Sequence, residues 1–164
     1  ETIARALAGY RSAFGRIERL TYRGRQLTLA LVKNPVGFNE TLRVLTLATD
    51  GLTTPTLIAI NDLDADGRDV SWLWDVDFEM LAEGTASIST TGIRGADMAN
   101  RLKYAGLPDS RVFSQPADLA SGLDAFVDSL PETAPGFVLL TYTALLDLRQ
   151  TLADRGAVAH FWEQ

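Results

Sequence analysis

Short apolar runs alternate along this chain with segments of helical period, and that alternation limits the fold more than any other feature. Residues 27–32, 56–60 and 137–140 are strand-length apolar runs, and 86–90 reads as a further strand. The unbroken run at 56–60 suggests a strand covered on both faces. Between these runs lie helical patterns. Asn39 is a plausible N-cap for a helix burying Leu42, Leu45 and Leu47. Further helices are expected over 95–104, 116–130 and 144–154, the third of these four with Leu119, Leu123, Phe126 and Val127 on one face. Residues 71–81 are aromatic-rich and read as helical at their end, and Val112-Phe113 as a short strand. Strand and helix in alternation predict right-handed βαβ units, hence an α/β fold with a mostly parallel sheet flanked by helices.

The start of the chain breaks this pattern. Ile3, Leu7, Tyr10 and Phe14 share one face of a predicted helix that Gly15 stops. Arg19-Leu20-Thr21-Tyr22 and residues 27–32 then flank Arg23-Gly24-Arg25, which predicts a β-hairpin. Asn34-Pro35 closes the second strand, because proline lacks an amide hydrogen and restrains the residue before it. A domain boundary is expected near Gly15 to Arg19.

Composition removes several function classes. A length of 164 residues with 46% hydrophobic and 22% charged residues suits one globular core. Fifteen Lys and Arg against 21 Asp and Glu leave a net charge of −6, a poor match for nucleic acid. Without cysteine the chain has no disulfide, thiolate metal site or thiol nucleophile of its own. It has a single histidine, His160, in a C-terminal stretch with Phe161 and Trp162, which reads as local packing. No apolar run approaches the ~20 residues that span a bilayer, so membrane insertion is not expected. The N-terminal residues carry no signal pattern and no initiator Met, and they enter in mid-helix. A cytoplasmic piece of a longer protein is expected.

Open α/β sheets bind ligands at the carboxyl ends of their strands. Three polar loops fall there: 33–40, 61–77 and 91–94. The second is rich in acid: Asp62, Asp64, Asp66 and Asp69, then Asp75, Asp77 and Glu79. Asp62, Asp64, Asp66 and Gly67 match the opening of a calcium loop, but Leu73 stands where a bidentate Glu belongs. The bland alternative is a solvated acidic turn. Trp72, Trp74 and Phe78 crowd the same segment, which suits an interface or pocket as well as plain core. Lys33, at a strand end before a helix, could meet an acidic or phosphorylated ligand or reach into solvent. Arg94 opens a helix, where a cation is unfavourable, so either an acidic group or anion meets it or it serves as a plain surface residue. Tyr142-Thr143 reads as a capping turn. Gly37 stands alone, so the chain holds no nucleotide-binding loop.

Taken in order, Lys33-Asn34-Pro35-Val36-Gly37-Phe38-Asn39-Glu40, Asn61-Asp62, Ala65-Asp66-Gly67-Arg68-Asp69 and Ser71-Trp72-Leu73-Trp74-Asp75-Val76-Asp77-Phe78-Glu79 resemble the C-terminal domain of the MurT family. Residues 92–106 and Thr141-Tyr142-Thr143-Ala144-Leu145-Leu146 continue the likeness, which runs from about Phe14 onward. Leu140 stands where the family often has a proline.

The resemblance implies a Rossmann-like Mur-ligase C-terminal domain over 16–164, with 1–15 as the last helix of a preceding central domain. MurT proteins are the Mur-ligase-like subunits of lipid II isoglutaminyl synthase, partnered by the glutaminase subunit GatD. The pair uses ATP and glutamine to amidate the D-glutamate of lipid II, at the inner face of the cell membrane. GatD brings a cysteine nucleophile and a histidine, and the family's Asp-Gly-Arg-Asp segment supplies the third triad member, here Asp69. A triad carboxylate only orients and stabilises the imidazole, so another chain can provide it. Lys33, Asn34, Asn39 and Arg94 are implied on the face toward nucleotide and substrate, and Arg68, Trp72 and Trp74 on the face toward the partner. ATP and Mg would be held mostly by domains outside this sequence, as would the family's zinc ribbon. No metal or cofactor is expected in the fragment, which alone should be inactive.

Overall fold

Arg23 and Gly24 take φ angles of 49° and 76° and fold β1 (Ile17–Tyr22) back on β2 (Arg25–Leu31) in a two-residue antiparallel hairpin. Positive φ at both central positions gives the turn a twist that suits its strands. The computed structural model describes residues 17–47 and 52–158. The expected helix before Gly15, the boundary there and His160 lie outside the described residues.

Four parallel strands extend the hairpin: β3 (Thr56–Ala59), β4 (Ile88–Thr91), β5 (Val112–Ser114) and β6 (Gly136–Leu140). The sheet order is β1-β2-β6-β3-β4-β5, and only the β1–β2 pairing is antiparallel. The mostly parallel α/β architecture predicted from the alternation is the one the protein has.

The helices are α1 (Pro35–Leu47), α2 (Gly95–Tyr104), α3 (Leu119–Ser129) and α4 (Tyr142–Asp154). Alternate residues of the central strands enter two separate cores. Ile58, Phe137 and Leu139 pack with Phe38, Leu42, Phe78, Met98 and Leu102 on one face. Leu57, Val138 and Leu140 pack with Leu123, Phe126, Leu148 and Leu152 on the other. A strand buried on both sides must be apolar at every position, and all five residues of β6 are buried. Each fully buried Leu or Phe contributes about 1.5–3 kcal/mol.

Several boundaries differ from the expectation. Helix α1 begins at Pro35, not after Asn39. Asn34 is its cap, since Asn34 Oδ1 accepts the Gly37 N–H at 2.8 Å, and proline at the first helical position loses no bond. Leu47 is exposed, not buried. Residues 71–81 form two 3₁₀ turns, Ser71–Asp75 and Phe78–Leu81, where helix was expected at the end alone. Helix α3 starts after Asp118, whose carboxylate accepts the Ser121 N–H. Among the described residues, no helix is long and apolar enough to cross a membrane.

Candidate functional site

The parallel strands β3, β4 and β6 end side by side, and Asn61 joins all three ends. Its backbone N–H donates to Thr141 Oγ1 after β6 (2.9 Å), and its side-chain amide donates to Thr143 Oγ1 (3.3 Å). Its carbonyl oxygen accepts the Ile93 N–H after β4 (3.1 Å). Asn61 is buried, so these bonds also satisfy an amide that burial would otherwise penalise. The β4–α2 turn closes against it through Gly92, at φ 88°. A Cβ there would lie 2.6 Å from the Ile60 carbonyl oxygen and 2.9 Å from Asn61 Oδ1.

The acidic loop begins on this base. Asp62 is buried and accepts from Arg94 Nε (2.9 Å) and Nη2 (2.8 Å). Hydrogen bonding and charge from Asp62 hold the Arg94 guanidinium above its ordinary pKa. The acid that the helix-opening arginine meets is therefore in its own chain. Asp64 pairs with Arg68 Nε at 2.9 Å, both side chains exposed. Asp66 Oδ1 accepts the Thr143 N–H at 2.8 Å, and Oδ2 accepts the Thr143 hydroxyl. The three carboxylates of the calcium pattern thus turn to three different partners. Among the described residues, no group of three or more His, Cys, Asp or Glu could hold a metal ion. This geometry does not carry the calcium reading.

Asp69 follows on the outer side of the loop, exposed, with Oδ1 accepting the Ser71 N–H at 2.8 Å. The backbone and side-chain hydrogen bonds of Ser71 hold its carboxyl below the ordinary carboxylate value. An exposed, fixed carboxylate can accept a hydrogen bond from a group that arrives from outside.

A family model, MurT ligase C-terminal, matches residues 31–145. The chain belongs to the MurT ligase C-terminal family. It is 33% identical over 149 residues to the MurT subunit of lipid II isoglutaminyl synthase (glutamine-hydrolyzing) of Streptococcus pneumoniae, a match covering 90% of this chain and 32% of that one. The Staphylococcus aureus MurT subunit is 36% identical over 106 residues, covering 64% of this chain and 24% of the relative. The chain thus spans about a third or less of the curated relatives it matches. Two solved folylpolyglutamate synthases share the fold. The Thermotoga maritima enzyme has a TM-score of 0.54 at 18% identity, over 93% of this chain and 33% of that one. The Mycobacterium tuberculosis enzyme, complexed with ADP, has a TM-score of 0.53 at 19% identity, over 90% and 34%.

In this MurT-type domain the other singled-out residues divide by role. Lys33 is exposed just beyond β2. Asn34 caps α1, and Asn39 Oδ1 accepts the Asp77 N–H at 2.9 Å, tying the long β3–β4 connection to α1. Trp72 is half-buried against the core, 6.4 Å from the Phe38 ring. Trp74 is exposed, edge-on to the exposed Tyr104 at 5.5 Å. Arg68 is exposed beside Asp69.

Sequence reasoning passed over Arg101. It is buried in α2, donates to the Leu73 (3.2 Å) and Val76 (2.8 Å) carbonyl oxygens and to Glu79, and lies over the Trp74 and Phe78 rings. The guanidinium shapes the aromatic segment around itself. Its signal was present: Met98, Arg101 and Leu102 follow the i, i+3, i+4 spacing of a buried helical stripe.

Proposed function

We propose that this domain is the C-terminal part of a lipid II isoglutaminyl synthase subunit, that it docks the glutaminase subunit GatD, and that it lends Asp69 to that subunit's Cys-His pair. The observation that carries the reading is an exposed carboxylate oriented by the Ser71 N–H on a loop whose base is hydrogen-bonded to the sheet ends. On docking, burial would push that carboxyl up, and the Ser71 bonds oppose the shift. Asp69 would accept the imidazole N–H, fix its tautomer and stabilise the imidazolium formed as the histidine takes the thiol proton. Ammonia released from glutamine would then serve the ATP-dependent amidation of the D-glutamate of lipid II, at the inner face of the membrane.

ATP and Mg do not fit the described residues alone. There is no glycine-rich phosphate loop in the chain, and no described carboxylate cluster suited to a metal. Their main sites would belong to domains outside this sequence. Lys33 would face the nucleotide and acyl acceptor. Asn34, Asn39 and Arg94 lie on the same implied face, with Arg94 already committed to Asp62, Asn34 capping its own helix and Asn39 bonded to the Asp77 backbone. Arg68, Trp74 and the flank of Trp72 would face GatD. The domain would run over 16–164, with 1–15 closing the central domain.

The test is Asp69→Asn in the full-length protein with its glutaminase partner. The expected result is an intact complex whose glutamine hydrolysis falls by on the order of 10⁴-fold, as when a triad orienter is lost. Undiminished turnover would leave a docking domain without a catalytic contribution.

A further inference from the structure

We propose that Asp66 and Thr143 form a latch that positions Asp69, an inference that rests on the role given to Asp69 above. Residues 63, 64, 65, 67, 68 and 69 are all exposed, so burial does not hold this stretch. Its internal bonds are local: Leu63 carbonyl oxygen accepts from the Asp66 (2.8 Å) and Gly67 (3.1 Å) N–H groups, Asp66 Oδ2 accepts the Leu63 N–H (3.3 Å), and Arg68 pairs with Asp64. Among the described residues, the hydrogen bonds tying 63–69 to distant parts of the chain run through Asp66. They reach Thr143, 77 residues away, at both its N–H and its hydroxyl.

The anchor is itself hydrogen-bonded to the buried Asn61. Thr143 is the second residue of α4, and its hydroxyl also accepts from the buried Asn61 amide. Thr141, the N-cap of α4, makes no side-chain capping bond, and its hydroxyl accepts from Asn61 N–H instead. Asp66 thus satisfies an open N–H at the start of α4 from another loop, with its negative charge at the positive end of the helix. Gly67, at φ 89°, then turns the chain outward, so that Asp69 follows the latch by three residues and precedes its own Ser71 bond by two. Asp66 touches no reacting atom. It is a positioning residue.

The experiment uses the full-length MurT-type protein with its glutaminase subunit and follows glutamine hydrolysis. Asp66→Ala is expected to lower kcat by about 10²-fold, as for a misplacement near 1 Å, with KM for glutamine unchanged. Thr143→Val, which keeps the N–H and loses the hydroxyl, is expected to lose about 10-fold, and Thr143→Ser to restore full turnover. Combining Asp66→Ala with Asp69→Asn should cost no more than Asp69→Asn alone, because the first acts through the second. Wild-type kcat in Asp66→Ala beside a disabled Asp69→Asn overturns the latch and leaves the Asp69 reading standing. Additive losses, or equal behaviour of the Val and Ser variants, overturn it too. Full turnover in Asp69→Asn overturns the Asp69 reading, and the positioning role falls with it. The Thr143 pair decides the matter should Asp66→Ala fail to fold.

Discussion

Asp62 and Arg94 meet through two hydrogen bonds, 2.9 Å from Nε and 2.8 Å from Nη2, with the carboxylate buried and the guanidinium half-exposed. Truncating the arginine strands a buried negative charge, whereas replacing both partners does not. Arg94→Met is therefore expected to unfold at lower urea than Asp62→Asn combined with Arg94→Met. A double variant less stable than the single one would mean that the pair is not what Asp62 depends on.

Gly92 and Gly67 both take positive φ but sit in different surroundings. Alanine at Gly92 meets backbone at 2.6 Å, while alanine at Gly67 meets nothing within 4 Å. Gly67→Ala should cost about 1–2 kcal/mol, the conformational penalty alone. Gly92→Ala should cost about 3 kcal/mol or more, with overpacking added. Chemical denaturation measures both, and equal losses would contradict the close approach at Gly92.

Arg101 bonds two backbone carbonyl groups and lies over the Trp74 and Phe78 rings. Arg101→Met should destabilise by about 2–4 kcal/mol, since these carbonyl oxygens lose their donor. Arg101→Lys should recover little, because a point-charge ammonium cannot span two acceptors and stack at once. Denaturation followed by tryptophan fluorescence tests this, and full stability in the lysine variant would show that charge alone suffices.

Asp118 is held below the ordinary carboxylate value of 3.8 by the hydroxyl and backbone N–H of Ser121. A depressed folded pKa adds stability above the unfolded pKa and loses it as pH falls through the folded one. Asp118→Ala should therefore cost about 1 kcal/mol at neutral pH, the usual worth of a helix cap. The gap in melting temperature between variant and wild type should stay constant down to about pH 5 and narrow below pH 4. A gap that widened in acid would assign the stabilisation to something other than the ionised cap.

The fold was legible because its signals are local and repeated. Leu57 and Ile58 lie in an unbroken apolar run, and such a run reads as a strand between two layers. The Arg23-Gly24 hairpin and the face of α3 were equally readable. The start of α1 was not, because Asn34 and Asn39 are both acceptable caps. What separates them is that Pro35 suits the first helical position. Residues 71–81 were read as helical at their end because apolar spacing does not register Arg101, which organises them from another element. The acidic loop was legible as a segment following β3, not as a wiring pattern. That Asp62 turns to Arg94, and Asp66 to Thr143, depends on contacts 32 and 77 residues apart. Spacing within a motif carries no information on pairings of that range.

The cap that Asp66 places on α4 also sets how short this domain can be cut. A truncation stopping ahead of Thr143 would retain the entire Asp-Gly-Arg-Asp segment and yet remove its mooring, so the segment's shape is encoded partly in residues that motif-based trimming would discard.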